Sequence, residues 1–227
     1  MDYDFEFGPI WAHADQLATA AGLTLALSTM AMVLGLAVGI VCVYLRAAWP
    51  RIFVPVVTAY VNVIRNTPFL VQIFLVFFGL PQIGLRLSAN EAAVWAMVLN
   101  AGAYASEILR AGVEAVGKGQ REGAQALGLS PLQTYGLVVL PPALQAVYPS
   151  LSSQFILLML TSSALSVISV DELTAVANDI SSETFRTIEV YIVIAVIYLV
   201  LSLGLSVVLD AIYRRCFRHA RFLTVRR

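Results

Sequence analysis

The chain alternates long apolar runs with short polar segments. Crossing a hydrocarbon core about 30 Å thick takes roughly 20 helical residues, and runs of at least that length lie at about 16–45, 53–80, 91–112, 144–169 and 187–212. This pattern predicts an all-α integral membrane protein. The predicted protein has five transmembrane helices in a single domain over residues 1–227.

The second run is interrupted by Arg65-Asn66-Thr67-Pro68. Residues 69–80 alone would cover only about 18 Å as a helix, so this span is the least regular of the five. Broken spans free backbone groups that can serve a polar ligand. Gln72 follows the break by about one turn and is predicted to contact substrate, with a hydrogen bond to another helix as an equally good alternative.

Composition supports a membrane protein, because 59% of the residues are hydrophobic and only 12% are charged. Cys42 lies in the first apolar run and Cys216 in the C-terminal tail, so the two cannot plausibly pair. Only two histidines are present, and no cluster of His and Cys has the spacing of metal ligands. We therefore expect neither a disulfide nor a metal site.

Lys and Arg near the span ends predict the orientation. In a five-span arrangement Arg86 and Arg186 fall on one side. The other side collects most of the remaining basic residues: Arg46, Arg51, Arg110, Lys118, Arg121, Arg214, Arg215, Arg218, Arg221, Arg226 and Arg227. The N-terminus is thus predicted outside, and the loop at 114–141 and the C-terminus in the cytoplasm.

The loop at 114–141 begins with two glycines that favour a break after the third span, Gly117 and Gly119. A short helix is predicted over 120–127, with Gly128 as its left-handed C-terminal stop. Residues 130–133, Ser-Pro-Leu-Gln, form a capping-box pattern that starts a second helix. We expect that helix to end near Leu140, because two prolines follow.

The same loop carries a spaced motif, Glu-x-Ala-x3-Gly-x9-aliphatic-x-Leu-Pro, which resembles the loop by which permease subunits of bacterial ABC importers engage their ATPase. The residues that match it or lie within it are Glu122, Gly123, Ala124, Leu127, Gly128, Leu140 and Pro141. The family usually has alanine at the position of Gly123. That departure should loosen the coupling helix slightly without abolishing docking.

The resemblance extends over roughly residues 16–213 and is closest to the histidine, opine and polar amino acid branch of type I ABC importers. Segments 66–72, 102–108 and 166–173 are also similar to that branch. The resemblance implies a five-helix subunit of the bacterial inner membrane that pairs with a second permease. It further implies two ATPase subunits in the cytoplasm and an extracytoplasmic binding protein that delivers substrate.

The chain has no phosphate-binding loop of its own, so the partner ATPase would bind ATP and this subunit would be neither an enzyme nor a cofactor protein. The substrate is expected to be a polar or basic amino acid or an opine. The alternative is a secondary transporter or channel without an ATPase. That alternative would require a relay of titratable residues in the spans or an internal repeat, and we see neither.

Polar residues inside the spans mark a predicted substrate pathway. Asn100, Tyr104 and Glu107 share one helical face, which must turn away from lipid because an ionisable group there costs about 2.5–3.5 kcal/mol. Arg65 enters from the same side, so an Arg65–Glu107 ion pair is predicted. Recognition of a substrate ammonium group by Glu107 is the alternative.

The fourth run contributes Thr161, Ser162 and Ser163, of which at least one hydroxyl should face the pathway. Bonds to their own helix are an equally good explanation. Residues 160–165 are neutral here, whereas many permeases of this branch have a charged side chain in this stretch. The chain therefore looks like one member of a heterodimer with a paralogue, and a homodimer stays open.

Overall fold

The computed structural model describes residues 4–217, which fold into helices without any strand. After a single helical turn at Gly8–Trp11, the helices are α1 Ala14–Ala48, α2 Pro50–Arg65, α3 Phe69–Phe74, α4 Ala89–Ala115, α5 Lys118–Ala126, α6 Pro131–Ile168, α7 Leu173–Thr184 and α8 Thr187–Cys216. Four of these, α1, α4, α6 and α8, are long and apolar enough to cross a membrane. The protein is an all-α membrane protein, as predicted.

The second predicted span, 53–80, consists of two helical pieces at an angle of 108°. The first is α2, and the second is α3 with its continuation to Ile83 through one π-helical and one 3₁₀ segment. The break falls at Asn66–Pro68, because proline has no backbone N–H and disfavours helical geometry at the residue before it. The protein has five spans when this bent pair is counted as one.

The prediction that a helix ends near Leu140 is wrong. Helix α6 runs from the loop into the apolar region without interruption and passes through a π-helical stretch at Thr134–Val139. Pro141 and Pro142 stand in the first turn of its second α-helical part, Leu140–Thr161, where a backbone N–H lacks an α-helical partner in any case. The loop is therefore shorter than the predicted 114–141.

The shortened loop consists of α5 and the turn that follows it. Gly128 has φ +77°, the predicted left-handed stop. The N–H of Gly128 donates to the carbonyl of Gln125, and that of Leu129 donates to the carbonyl of Ala124, which is a Schellman motif. The predicted capping box also forms, with Ser130 and Gln133 bonding reciprocally.

The centre of the molecule is the packing of α1 against α4 and of α4 against α6. Small residues allow the first contact, with Gly35 and Gly39 of α1 facing Ala101 and Ala105 of α4. A Cβ atom at Gly39 would lie only 2.8 Å from that of Ala105. Such close approach is typical of helix pairs in membranes, where tight packing replaces the hydrophobic effect.

The orientation can be tested by labelling. Asp179 of α7 and Gln125 of α5 are both exposed, and both native cysteines would first be replaced because their thiols are free. We expect a membrane-impermeant maleimide added outside intact cells to label a cysteine at position 179 but not at 125. Labelling of both positions from outside would contradict the predicted topology.

Candidate functional site

A cavity of about 370 Å³ opens at the break between α2 and α3. Three elements line it: the break itself, one face of α4 and one face of α6. The lining residues are Arg65, Asn66, Thr67, Pro68, Phe69, Asn100, Tyr104, Gln154, Leu157 and Thr161. Of the residues predicted to form the substrate pathway, Asn100, Tyr104 and Thr161 line this cavity.

The predicted ion pair between Arg65 and Glu107 is wrong. Arg65 lies instead over the ring of Tyr104, with its guanidinium carbon 5.2 Å from the ring centroid, which is cation–π geometry. Tyr104 and Glu107 lie on the same face of α4, but Glu107 is almost one turn closer to the end of the helix, where Arg46 and Arg110 meet it instead of Arg65. Arg65 is thus left facing the cavity.

Glu107 binds two other arginines. Its Oε1 accepts from Arg46 of α1 at 2.9 Å, and its Oε2 lies 3.0 Å from Nη2 of Arg110 on α4. Arg46 also donates to Thr58 of α2, and Arg110 also pairs with Glu114. The Glu107 carboxylate therefore links α4 to α1 directly and to α2 through Arg46. It does not line the cavity, which favours a structural role over recognition of a substrate ammonium group.

Gln72 is buried, and both its amide nitrogen and its amide oxygen form hydrogen bonds. Its Nε2 donates to the carbonyls of Ile64 at 2.7 Å and Thr67 at 2.9 Å, and its Oε1 accepts from Asn100 at 3.1 Å. It thus satisfies carbonyls freed by the break and joins the break to α4. The geometry favours the alternative reading, in which Gln72 supports the cavity wall and does not itself meet substrate.

Two of the three predicted hydroxyls, those of Thr161 and Ser162, bond to their own helix. Thr161 donates to the carbonyl of Leu158, and Ser162 donates to that of Met159. Thr161 still borders the cavity, whereas Ser162 and Ser163 do not. The sequence reading missed Gln154, which lies two turns before Thr161 on the same face of α6. A glutamine inside an apolar run was the signal that could have identified it.

The residues of the predicted docking motif divide into two groups. Glu122, Gly123 and Leu127 are exposed on α5 and its C-cap, and Leu127 has 83% of its surface accessible. Ala124 is buried, and Leu140 packs against the core within α6. A Cβ atom at Gly123 would meet nothing within 4 Å, so the alanine usual at this position would also fit.

A polar cavity at a broken helix between apolar spans is typical of a membrane transport protein. The family model of "Binding-protein-dependent transport system inner membrane component" matches residues 31–218. The chain belongs to this family, and it is a multi-pass permease of the inner membrane.

Relatives of known name support this assignment. The chain is 36% identical over 213 residues to the glutamine transport system permease protein GlnP of Escherichia coli strain K12, covering 93% of this chain and 97% of that one. It is 34% identical over 201 residues to the nopaline transport system permease protein NocM of Agrobacterium fabrum, covering 84% and 83%. Both relatives are permease proteins of transport systems.

Solved structures agree with the fold. The crystal structure of an amino acid ABC transporter with histidines contains a chain that matches with a TM-score of 0.82 and 34% identity, over 94% of this chain and 100% of that one. A chain of an inward-facing methionine ABC transporter matches with a TM-score of 0.71 at 19% identity, over 90% and 98%. The second match shows the fold alone.

The buried carboxyl of Glu172, outside the spans, should make the stability of the fold depend on pH. Glu172 caps α7, with Oε1 accepting from the N–H of Ala175 and Oε2 from the hydroxyl of Tyr198. Burial raises its pKa above the ordinary value, so the folded state keeps the proton to a higher pH than the unfolded state. Glu172 therefore favours folding in acid, and this contribution is lost as the pH rises through the folded-state pKa.

As the pH rises above the ordinary carboxyl range, we expect the thermal stability of the wild type to decline more steeply than that of Glu172→Gln. Glutamine retains the acceptor for Ala175 and does not ionise. Asp179→Asn, at an exposed carboxylate on the same helix, is the matched control. Identical pH profiles for the wild type and Glu172→Gln would contradict the raised pKa.

Proposed function

We propose that this permease conducts a polar amino acid through the α2–α3 cavity. An extracytoplasmic binding protein delivers the substrate. Two ATPase subunits bind and hydrolyse the ATP, and one of them docks on α5 of this chain. A second permease subunit, either a paralogue or another copy of this chain, completes the pathway. The observation that carries the proposal is a polar cavity at a broken helix, the arrangement by which membrane transporters expose backbone groups to a ligand.

The cavity chemistry narrows the substrate. Among the described residues that line it, Arg65 is the one charged side chain, and amides and hydroxyls supply the other polar groups. A guanidinium suits a carboxylate, and the amides suit an uncharged polar side chain. We therefore infer a zwitterionic amino acid with a neutral polar side chain, in keeping with the glutamine permease among the relatives, and we expect cationic amino acids to be disfavoured.

The test is uptake by the reconstituted complex of this subunit with its partner permease, ATPase and binding protein in proteoliposomes. Uptake of radiolabelled glutamine, arginine and glutamate would be measured under three conditions: with ATP inside the vesicles, with ADP in its place, and with ATP plus an ionophore. We expect ATP-dependent uptake that favours glutamine and survives the ionophore. Uptake driven by an ion gradient without ATP would overturn the proposal in favour of a secondary transporter.

A further inference from the structure

The chain connection between α4 and α5 is short, with Val116 buried in the core and Gly117 as its one open position. Only Val116 and Gly117 separate the two helices, and a Cβ atom at Gly117 would meet nothing within 4 Å. Glycine imposes the least restriction on backbone angles of any residue. The backbone alone therefore does little to fix the direction of α5 relative to α4.

A side chain of α5 bridges this joint. The Nη2 of Arg121 donates to the carbonyl oxygen of Val113 in the last turn of α4. That turn contains no basic residue of its own, and a cation is favoured at the C-terminal end of a helix, where unpaired carbonyls concentrate negative charge. Arg121 supplies this charge from the neighbouring helix.

The guanidinium has no other anchor within residues 4–217. No carboxylate there lies within ion-pair distance of it, and its Nε is buried without an acceptor. The rest of the inner face of α5 contributes the small side chain of Ala124, which is buried where α5 packs against Thr134–Val139 of α6. Within residues 4–217, the Arg121–Val113 bond is thus the one side-chain hydrogen bond between α5 and α4.

We propose that Arg121 is the positioning residue that transmits displacement of α5 to α4. This inference rests on the proposed docking of an ATPase on the exposed face of α5. When the ATPase moves α5, the Arg121–Val113 bond makes the end of α4 move with it and prevents the joint at Gly117 from bending. Helix α4 also carries Asn100 and Tyr104, so the motion reaches the cavity wall directly.

The first arm of the test measures the bond without any ATPase. Hydrogen exchange of the α5 amides would be compared between the purified wild-type permease and Arg121→Met, which keeps an apolar stem but removes the donors. We expect exchange roughly tenfold faster or more in the variant, the factor that corresponds to loss of one charge-assisted hydrogen bond. Arg51→Met, the same change at an exposed arginine on α2, is the control.

The second arm uses the reconstituted complex. We expect Arg121→Met to copurify with the ATPase and to keep basal ATP hydrolysis, but to lose most uptake per ATP hydrolysed, with partial recovery in Arg121→Lys. Unchanged exchange in α5, or normal uptake per ATP, would overturn the role of Arg121. A wild-type complex without ATP-driven uptake would instead overturn the proposed function, while the exchange arm would still test the bond.

Discussion

Replacing Glu107 by glutamine is expected to destabilise the folded permease by roughly 2–4 kcal/mol. Removing one partner of a fully buried ion pair costs about 3–5 kcal/mol, and the Glu107 side chain retains 22% exposure, which reduces that cost. The variant would leave Arg46 without a carboxylate and Arg110 with only Glu114. Thermal unfolding in lipid nanodiscs would measure the loss.

Two comparisons make this prediction specific. Glu114 also pairs with Arg110 but is 64% exposed, so Glu114→Gln should change stability little. In a double-mutant cycle, Glu107→Gln should couple to Arg46→Gln but not to Arg65→Gln. A stable Glu107→Gln variant with altered substrate preference would instead make Glu107 a recognition residue.

The incorrect ion-pair partner predicted for Glu107 shows what helical periodicity can and cannot predict. The spacing of Asn100, Tyr104 and Glu107 indicated one shared inward face, and the structure places Asn100 and Tyr104 at the cavity and Glu107 in ion pairs. It could not select the arginine that meets the carboxylate, because that choice depends on how α1 and α2 cross α4. The close approach of α1, which brings Arg46 to Glu107, depends on Gly35 and Gly39, and a single sequence does not show that these glycines face α4.

The two proline sites show a similar limit. Pro68 breaks its helix as predicted, but the presence of a proline does not specify the angle of 108° between the two pieces. Pro141 and Pro142 were expected to end a helix and do not, because the π-helical stretch before them resets the hydrogen-bond register. The cavity likewise could be predicted only in part, since Gln154 faces it from α6, a helix distant in sequence.

The local signals in the loop that contains α5 were more reliable, because they depend on neighbouring residues. Gly128 adopts the left-handed conformation and Ser130 forms the capping box with Gln133, as the sequence indicates. These features fix where α5 ends and α6 begins. Glu122, on the α5 that they delimit, is exposed and forms no ion pair within residues 4–217.

Glu122→Lys is expected to reduce ATP-driven uptake by roughly tenfold or more, because reversing a charge inside a complementary interface places like charges together. Membrane insertion and the thermal stability of the isolated permease should stay normal, since the side chain makes no described ion pair. The measurements are copurification with the ATPase, substrate-stimulated ATP hydrolysis and uptake in proteoliposomes.

Asp210→Lys provides the matched control. Asp210 is an exposed carboxylate, 71% accessible, near the C-terminal end of α8 and outside the loop, so the same charge reversal there should leave uptake and ATPase binding unchanged. Equal loss in both variants would point to a general effect of surface charge. Wild-type uptake by Glu122→Lys would exclude Glu122 from the docking surface, because a contact with the ATPase could not tolerate a reversed charge without loss of affinity.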